Sequence, residues 1–162
     1  AAETGARISF TRKLVISAPD HACAAHWRAL GYRVIANEDA ALGQAKSVRL
    51  AAAHATEAGA SALCVMLADM PFVTVDHIGR LIANFQQSDG RRTVASVQDG
   101  QAMPPAIFPA AALPSLLALE GDRGARTLLA DAEPVEAKDP VLIDIDTVED
   151  LAQANEILAR SQ

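Results

Sequence analysis

Asp69 stands where an apolar run stops. Residues 62–67 read Ala-Leu-Cys-Val-Met-Leu, and Ala68, Asp69, Met70, Pro71, Phe72, Val73 and Thr74 follow. The run has the length and make-up of a buried strand, and Thr74 opens a helical pattern. In open α/β sheets ligands bind outside the carboxyl ends of the strands. A carboxylate placed there can face a divalent cation and the phosphates it carries. The same acid is a common turn cap, and the local pattern leans to that second reading. The four histidines, His21, His26, His54 and His77, form no ligand cluster in the sequence, and His77 is expected on a helix surface. Cys23 and Cys64 lack metal-site spacing and read as core thiols. No Ser-His-Asp or Cys-His pattern stands out. Trp27 and Tyr32 read as packing residues.

The elements that must position Asp69 alternate along the chain. Residues 13–17 form a strand, closed by Ala18-Pro19-Asp20, and Asp20 is placed to cap a helix to about Leu30, stopped by Gly31. Residues 32–36 form a second strand. Asn37-Glu38-Asp39 turns into a helix over 44–57, with Val48, Ala51, Ala52 and Ala55 at helical spacing. After the strand ending in Asp69 comes a helix over 75–87, with Ile78, Leu81, Ile82 and Phe85 on one face. Asp89-Gly90 and Asp99-Gly100 are turn signals on either side of a strand over 93–97. Residues 106–108 suggest another short strand, and 113–119 and 124–129 suggest helices. A last strand is expected over 141–144. Thr147 then caps a helix through Leu151, Ala154, Ile157 and Leu158, with Asp150 at capping-box spacing. Strands alternating with helices predict a three-layer α/β fold with a mostly parallel sheet.

Composition narrows the classes. A chain of 162 residues is long enough for one domain with a real core. A formal net charge of -6 argues against a nucleic-acid surface, and an aromatic content of 4% argues against base stacking. No apolar run reaches the ~18 residues that suggest a membrane helix. The first residues, Ala1-Ala2-Glu3-Thr4-Gly5, show no signal-peptide pattern, so a cytoplasmic protein is expected.

Residues 67–74 resemble the metal-site signature of the MobA/MocA-like nucleotidyltransferases, the molybdenum cofactor nucleotidyltransferase family. Three further segments match in the same order. Asn37-Glu38-Asp39 with Gly43 and Ser47-Val48-Arg49 is similar to the family's Asn…Gly…Ser-Leu-Arg segment. Residues 119–126, Leu-Glu-Gly-Asp-Arg-Gly-Ala-Arg, resemble its Leu-x-Gly-Asp-x-Gly-Ala-Arg motif. Residues 144–151, Asp-Ile-Asp-Thr-Val-Glu-Asp-Leu, resemble its closing Asp-Ile-Asp-Thr-Pro-Glu-Asp-Leu. Four motifs in order, over about residues 13 to 158, turn the reading of Asp69 towards metal. Three departures accompany them. The family opens with a strand and a Gly-rich loop, of the kind that wraps a triphosphate. This sequence starts instead with residues that read as the tail of the following helix. Its first strand and Gly-rich loop are therefore expected to be absent from these 162 residues. In this fold that strand lies beside the one ending in Asp69, so its absence implies unpaired strand edges. Ile8 and Phe10, alternating with Ser9 and Thr11, have the pattern of a short substitute strand. Met103-Pro104-Pro105 puts Pro104 where the family has a polar residue, which removes a side-chain substrate contact. Val148 replaces a usual proline.

The resemblance implies a single Rossmann-like domain of the nucleotide-diphospho-sugar transferase fold and a Mg²⁺-dependent nucleotidyltransferase. Such an enzyme moves a nucleoside monophosphate from CTP or GTP to a phosphorylated small molecule, here molybdopterin, and releases pyrophosphate. Asp69 would hold Mg²⁺, supported by Asp146 and more weakly by Asp144, although Asp146 can equally cap the last helix. Gly43, Lys46, Ser47 and Arg49, at a helix start, suit the phosphate of nucleotide or acceptor, or form an ordinary solvated first turn. Gly121, Asp122 and Arg126 would shape the acceptor pocket, with Arg126 either forked onto phosphate or paired to Asp122. The implied partners are small molecules, with no nucleic acid and no membrane, and a homodimer through an exposed strand edge is open. Two alternatives stand beside this reading. One is a non-catalytic relative acting as a cofactor-binding or interaction module. The other is a phosphatase-like Mg²⁺ hydrolase, for which no nucleophile near Asp69 is evident.

Overall fold

Val94, Ala95, Ser96 and Val97 are buried in succession. A run buried on both faces needs strands at its sides and helices above and below. The computed structural model, which describes residues 1–120, 126–138, 142–145 and 147–160, supplies both. The elements run α1 (Ala2–Ala6), β1 (Leu14–Ser17), α2 (Ala24–Ala29), β2 (Arg33–Ala36), α3 (Gln44–Glu57), β3 (Ala62–Val65), α4 (Val75–Gln87), β4 (Val94–Gln98), β5 (Gln101–Pro109), α5 (Leu113–Leu117), β6 (Glu133–Glu136) and α6 (Val148–Arg160). Short 3₁₀ turns occupy Ala40–Leu42, Ala110–Ala112 and Arg126–Leu129. A four-stranded sheet has the order β3-β5-β4-β6, and a second sheet pairs β1 with β2. Within each sheet every strand but β5 runs parallel to its fellows. The fold is thus the expected layered α/β type, with β5 as its antiparallel member.

Side chains alternate across β4, so its two faces feed two cores. Ala95 packs with Ala45, Val48, Ala52 and Ala55 of α3 and with Leu113 and Leu116 of α5. Val94 packs with Ile78 and Leu81 of α4, and with Met70, Val73 and Leu142. α3 touches both β1 and β3 and so joins the two sheets. Among the described residues each of those strands has a partner on one side only. Leu14–Ser17 and Ala62–Val65 are half-buried throughout, in contrast to β4. α1 closes over this region: Thr4 Oγ1 donates to Val73 O at 2.8 Å and Tyr32 Oη to Ala2 O at 2.8 Å.

Several expectations need correction. Asp20 caps nothing. Its φ is 53°, and α2 starts later, after Cys23, which is exposed rather than a core thiol. Ile8 and Phe10 form no strand but pack, half-buried, on the α4-side core. The described residues of the expected last strand, 142–144, are turn and irregular backbone. The strand that runs beside β4 is β6, whose sequence, Glu-Pro-Val-Glu, has one buried position. β5 is longer than expected, because the two-residue Asp99-Gly100 turn, with φ of 52° and 75°, joins Gln98 to Gln101 as a tight hairpin. Among the described residues no helix is long and apolar enough to cross a membrane.

Candidate functional site

Asp69 sits in the turn between β3 and α4, pinned on one side by buried Met70 and Val73. Thr74 caps α4 by accepting from His77 N at 3.1 Å, which fixes where the turn ends. On the other side Ile145 N donates to Asp69 O at 3.0 Å. That bond brings the loop before α6 against the turn. Asp144 is therefore a near neighbour in sequence of the bonded residue and is exposed. Asp146 lies outside the described residues. Asp69 Oδ1 is buried and has no hydrogen-bond partner among the described residues. A buried carboxylate oxygen left alone is costly, and a bound cation is one of few groups that would satisfy it. The donor chemistry at Asp69 thus fits a hard divalent ion. Among the described residues no three of His, Cys, Asp or Glu converge into a ready metal cage.

A second group lies after β2. Asn37 is buried and bonds in several directions. Its backbone N donates to Ser17 O at 2.7 Å, its Nδ2 donates to Ser47 Oγ at 3.0 Å, and its Oδ1 accepts from Asp39 N at 3.1 Å. One residue, by its backbone N–H and its side chain, therefore ties the ends of β1 and β2 to the first turn of α3. Gly43 precedes that turn with φ 104° and ψ 173°, a conformation open to glycine. With glycine at this position the helix has no side-chain cap. Lys46 pairs with Asp39, both partly exposed, and Arg49 is exposed one turn on. Lys46, Ser47 and Arg49 are thus brought together, at the same kind of strand end as Asp69. Gly121 and Asp122 lie outside the described residues, and Arg126 falls in a 3₁₀ turn.

The sequence reading missed His77. It is fully buried, not on the helix surface. Its Nε2 lies 2.7 Å from Ser96 Oγ, and its Nδ1 lies 2.9 Å from Arg80 Nη2. Ser96 Oγ donates to Pro105 O at 2.8 Å. Burial, and then the Arg80 charge, push the His77 pKa below its ordinary value, with Asp76 opposing them. The signal for a buried His77 was present. Positions 77, 78, 81, 82 and 85 share one helical stripe, and a polar residue in an apolar stripe marks a buried network.

Two cavities flank the β1–β2 pair. One of about 690 Å³ opens by Ser17, Ala36 and Glu38, at the carboxyl ends. The other, about 450 Å³, is lined by Lys13, Arg33, His54 and Glu57 at the amino ends, away from the site.

Comparison with known proteins follows the same lines. The family model described as MobA-like NTP transferase domain matches residues 2–137. The purine catabolism protein PucB of Bacillus subtilis (strain 168) is 36% identical over 119 residues, which is 70% of this chain and 56% of that protein. The chain thus aligns with little more than half the length of this relative. The crystal structure of an Rv0371c homologue from Mycobacterium sp. strain JC1 superposes with a TM-score of 0.78 at 20% identity, over 98% of this chain and 81% of the other. Molybdopterin-guanine dinucleotide biosynthesis protein A from Archaeoglobus fulgidus superposes with a TM-score of 0.64 at 19% identity, over 91% and 78%. At these identities the two structures share the fold.

Proposed function

Because the chain belongs to the MobA-like NTP transferase domain family, we propose that it transfers a nucleoside monophosphate from CTP or GTP to a phosphorylated small-molecule acceptor, molybdopterin being the one proposed. A terminal phosphate oxygen of the acceptor attacks the α-phosphorus. The bond from that phosphorus to the bridging oxygen breaks, and pyrophosphate carries the electron pair away. The protein's work is placement and charge neutralisation. Lys46 and Arg49, three residues apart on α3, offer cations to phosphate oxygens, and Asp39 keeps Lys46 oriented until an anion replaces it. The uncapped first turn of α3, after Gly43, adds backbone donors, and Asn37 holds Ser47 in place. Asp69, with Asp146 and more weakly Asp144, would hold Mg²⁺, which when bound neutralises charge on the phosphate oxygens. Gly121, Asp122 and Arg126 are proposed for the acceptor side. The same reading puts one further strand, with its Gly-rich loop, between the unpaired edges of β1 and β3.

The observation that carries this reading is the buried Oδ1 of Asp69 at the end of β3, partnerless among the described residues. Asp69→Asn keeps the shape and removes the charge. Pyrophosphate release from CTP or GTP with Mg²⁺ is expected to fall by at least ~100-fold, with an unchanged circular dichroism spectrum. Turnover equal to the parent would remove Asp69 from the site.

A further inference from the structure

Ala95 of β4 faces Ala106 of β5, but Ser96 faces Met103. Pro104 and Pro105 are therefore extra residues, a bulge with no partner on β4. Neither has an N–H to give the ladder. The bulge also lies at the same end of the sheet as Asp69. Val65↔Ala106 is the last pair of the β3–β5 ladder, so at that one end β3 leaves towards the Asp69 turn and β5 arrives from Pro104 and Pro105. Met103 packs on the core that contains Met70. At this end of the ladder, then, lies backbone that pairing with β4 does not hold.

The bonds that do hold it have forced directions. Arg80 has donors only, so Nδ1 of His77 must accept from Nη2. The ring proton is then on Nε2, which donates to Ser96 Oγ. The single Ser96 proton goes to Pro105 O. His77 and Ser96 are fully buried, so no water replaces a lost partner. Arg80 is fixed in turn by its Nη1 donating to Glu136 O at 2.8 Å and by Asp76 at 3.6 Å.

We propose that His77 is a positioning residue: its neutral imidazole, set between Arg80 and Ser96, holds the Pro104–Pro105 bulge next to Met103, at the end of the β3–β5 ladder from which the chain runs to Asp69. The link from bulge to substrate rests on the transferase reading; the relay itself does not. A second proton on the ring would set an N–H at Nδ1 against the Arg80 N–H and displace the ring. The charged residues of α4 nearest it in sequence are Asp76 and Arg80; of the strands packed on α4, β6 carries Glu133 and Glu136, while β4 and β5 carry none.

The test needs no substrate. The chain has three methionines, and methyl-labelled Met103 is followed by NMR from pH 8 to pH 4.5 together with the His77 ring signals. Both are expected to move in one protonation event, below the ordinary histidine range. His77→Gln offers an amide N–H and an oxygen in similar places without titrating. It is expected to keep the pH 8 position of Met103 and to abolish the event. His77→Leu is expected to displace Met103 already at pH 8. A Met103 signal that ignores pH in the parent, or titrates alike in His77→Gln, would overturn the proposal. Because these readouts are independent of turnover, they stand or fall apart from the Asp69→Asn assay.

Discussion

Burial pushes the Cys64 thiol up to about 12, while Cys23 is exposed just ahead of α2. Thiolate is the reactive form, so the two cysteines should separate cleanly. A disulfide-exchange reagent at pH 8 is expected to titrate one thiol per native chain at once and the second only in denaturant. Two fast thiols would mean that β3 opens at its unpaired edge. Sequence reading succeeded and failed at this scale for one reason. The place of Asp69, in a turn after β3, was legible because an acid that interrupts an apolar run marks where the strand stops; a metal role was not, since a strand-end acid is a common turn cap. Cys23 was misplaced because a helix pattern does not say which face has a neighbour, and α2 buries none of its residues. Ser96 lies unannounced in an apolar strand, and only the bulge opposite explains its burial. Tertiary partners decide such cases, and residue type does not contain them.

α3 and α4 were legible to the residue, since each combines a start signal with a 3.6-residue stripe. Thr147 and Asp150 were legible as a cap: Asp150 N donates to Thr147 Oγ1 at 3.1 Å, and Thr147 N donates to Asp150 Oδ2 at 2.8 Å. β6 and the first half of β5 were not. Pro134, Pro104 and Pro105 break the usual strand signal, because proline cannot donate to a ladder. β6 is tolerated as an edge strand beside β4. The glycine ahead of α3 yields a prediction that belongs to this scale. Gly43, at φ 104° and ψ 173°, occupies a region closed to other residues, where strain runs to ~1–3 kcal/mol. Gly59 closes the same helix at φ 60°, with open space around its missing side chain, and there the cost of a Cβ is ~1–2 kcal/mol. Gly43→Ala should therefore lower the urea midpoint more than Gly59→Ala. The opposite order would mean that the loop from Asn37 to Gly43 relaxes freely, and the rigid phosphate platform proposed for α3 would go with it.

At the scale of the molecule, the pairing among the described residues is discontinuous: β1 and β3 each carry one bare edge, and α3 spans both. Bare edges are templates for another strand, and they are also the places where local opening is easiest. Peptides from 14–17 and 62–65 should therefore exchange amide hydrogens much faster than the peptide from 94–98, whose strand has a neighbour on each side. The further strand proposed between β1 and β3 would protect both edges together. Pairing with a second copy leaves a different mark. It would protect one edge per chain, rise with protein concentration, and coincide with a doubled mass in light scattering. Equal protection of all three peptides at low concentration, in a monomer, would show that these edges are already satisfied, and the further strand proposed for the transferase would have no place to bind.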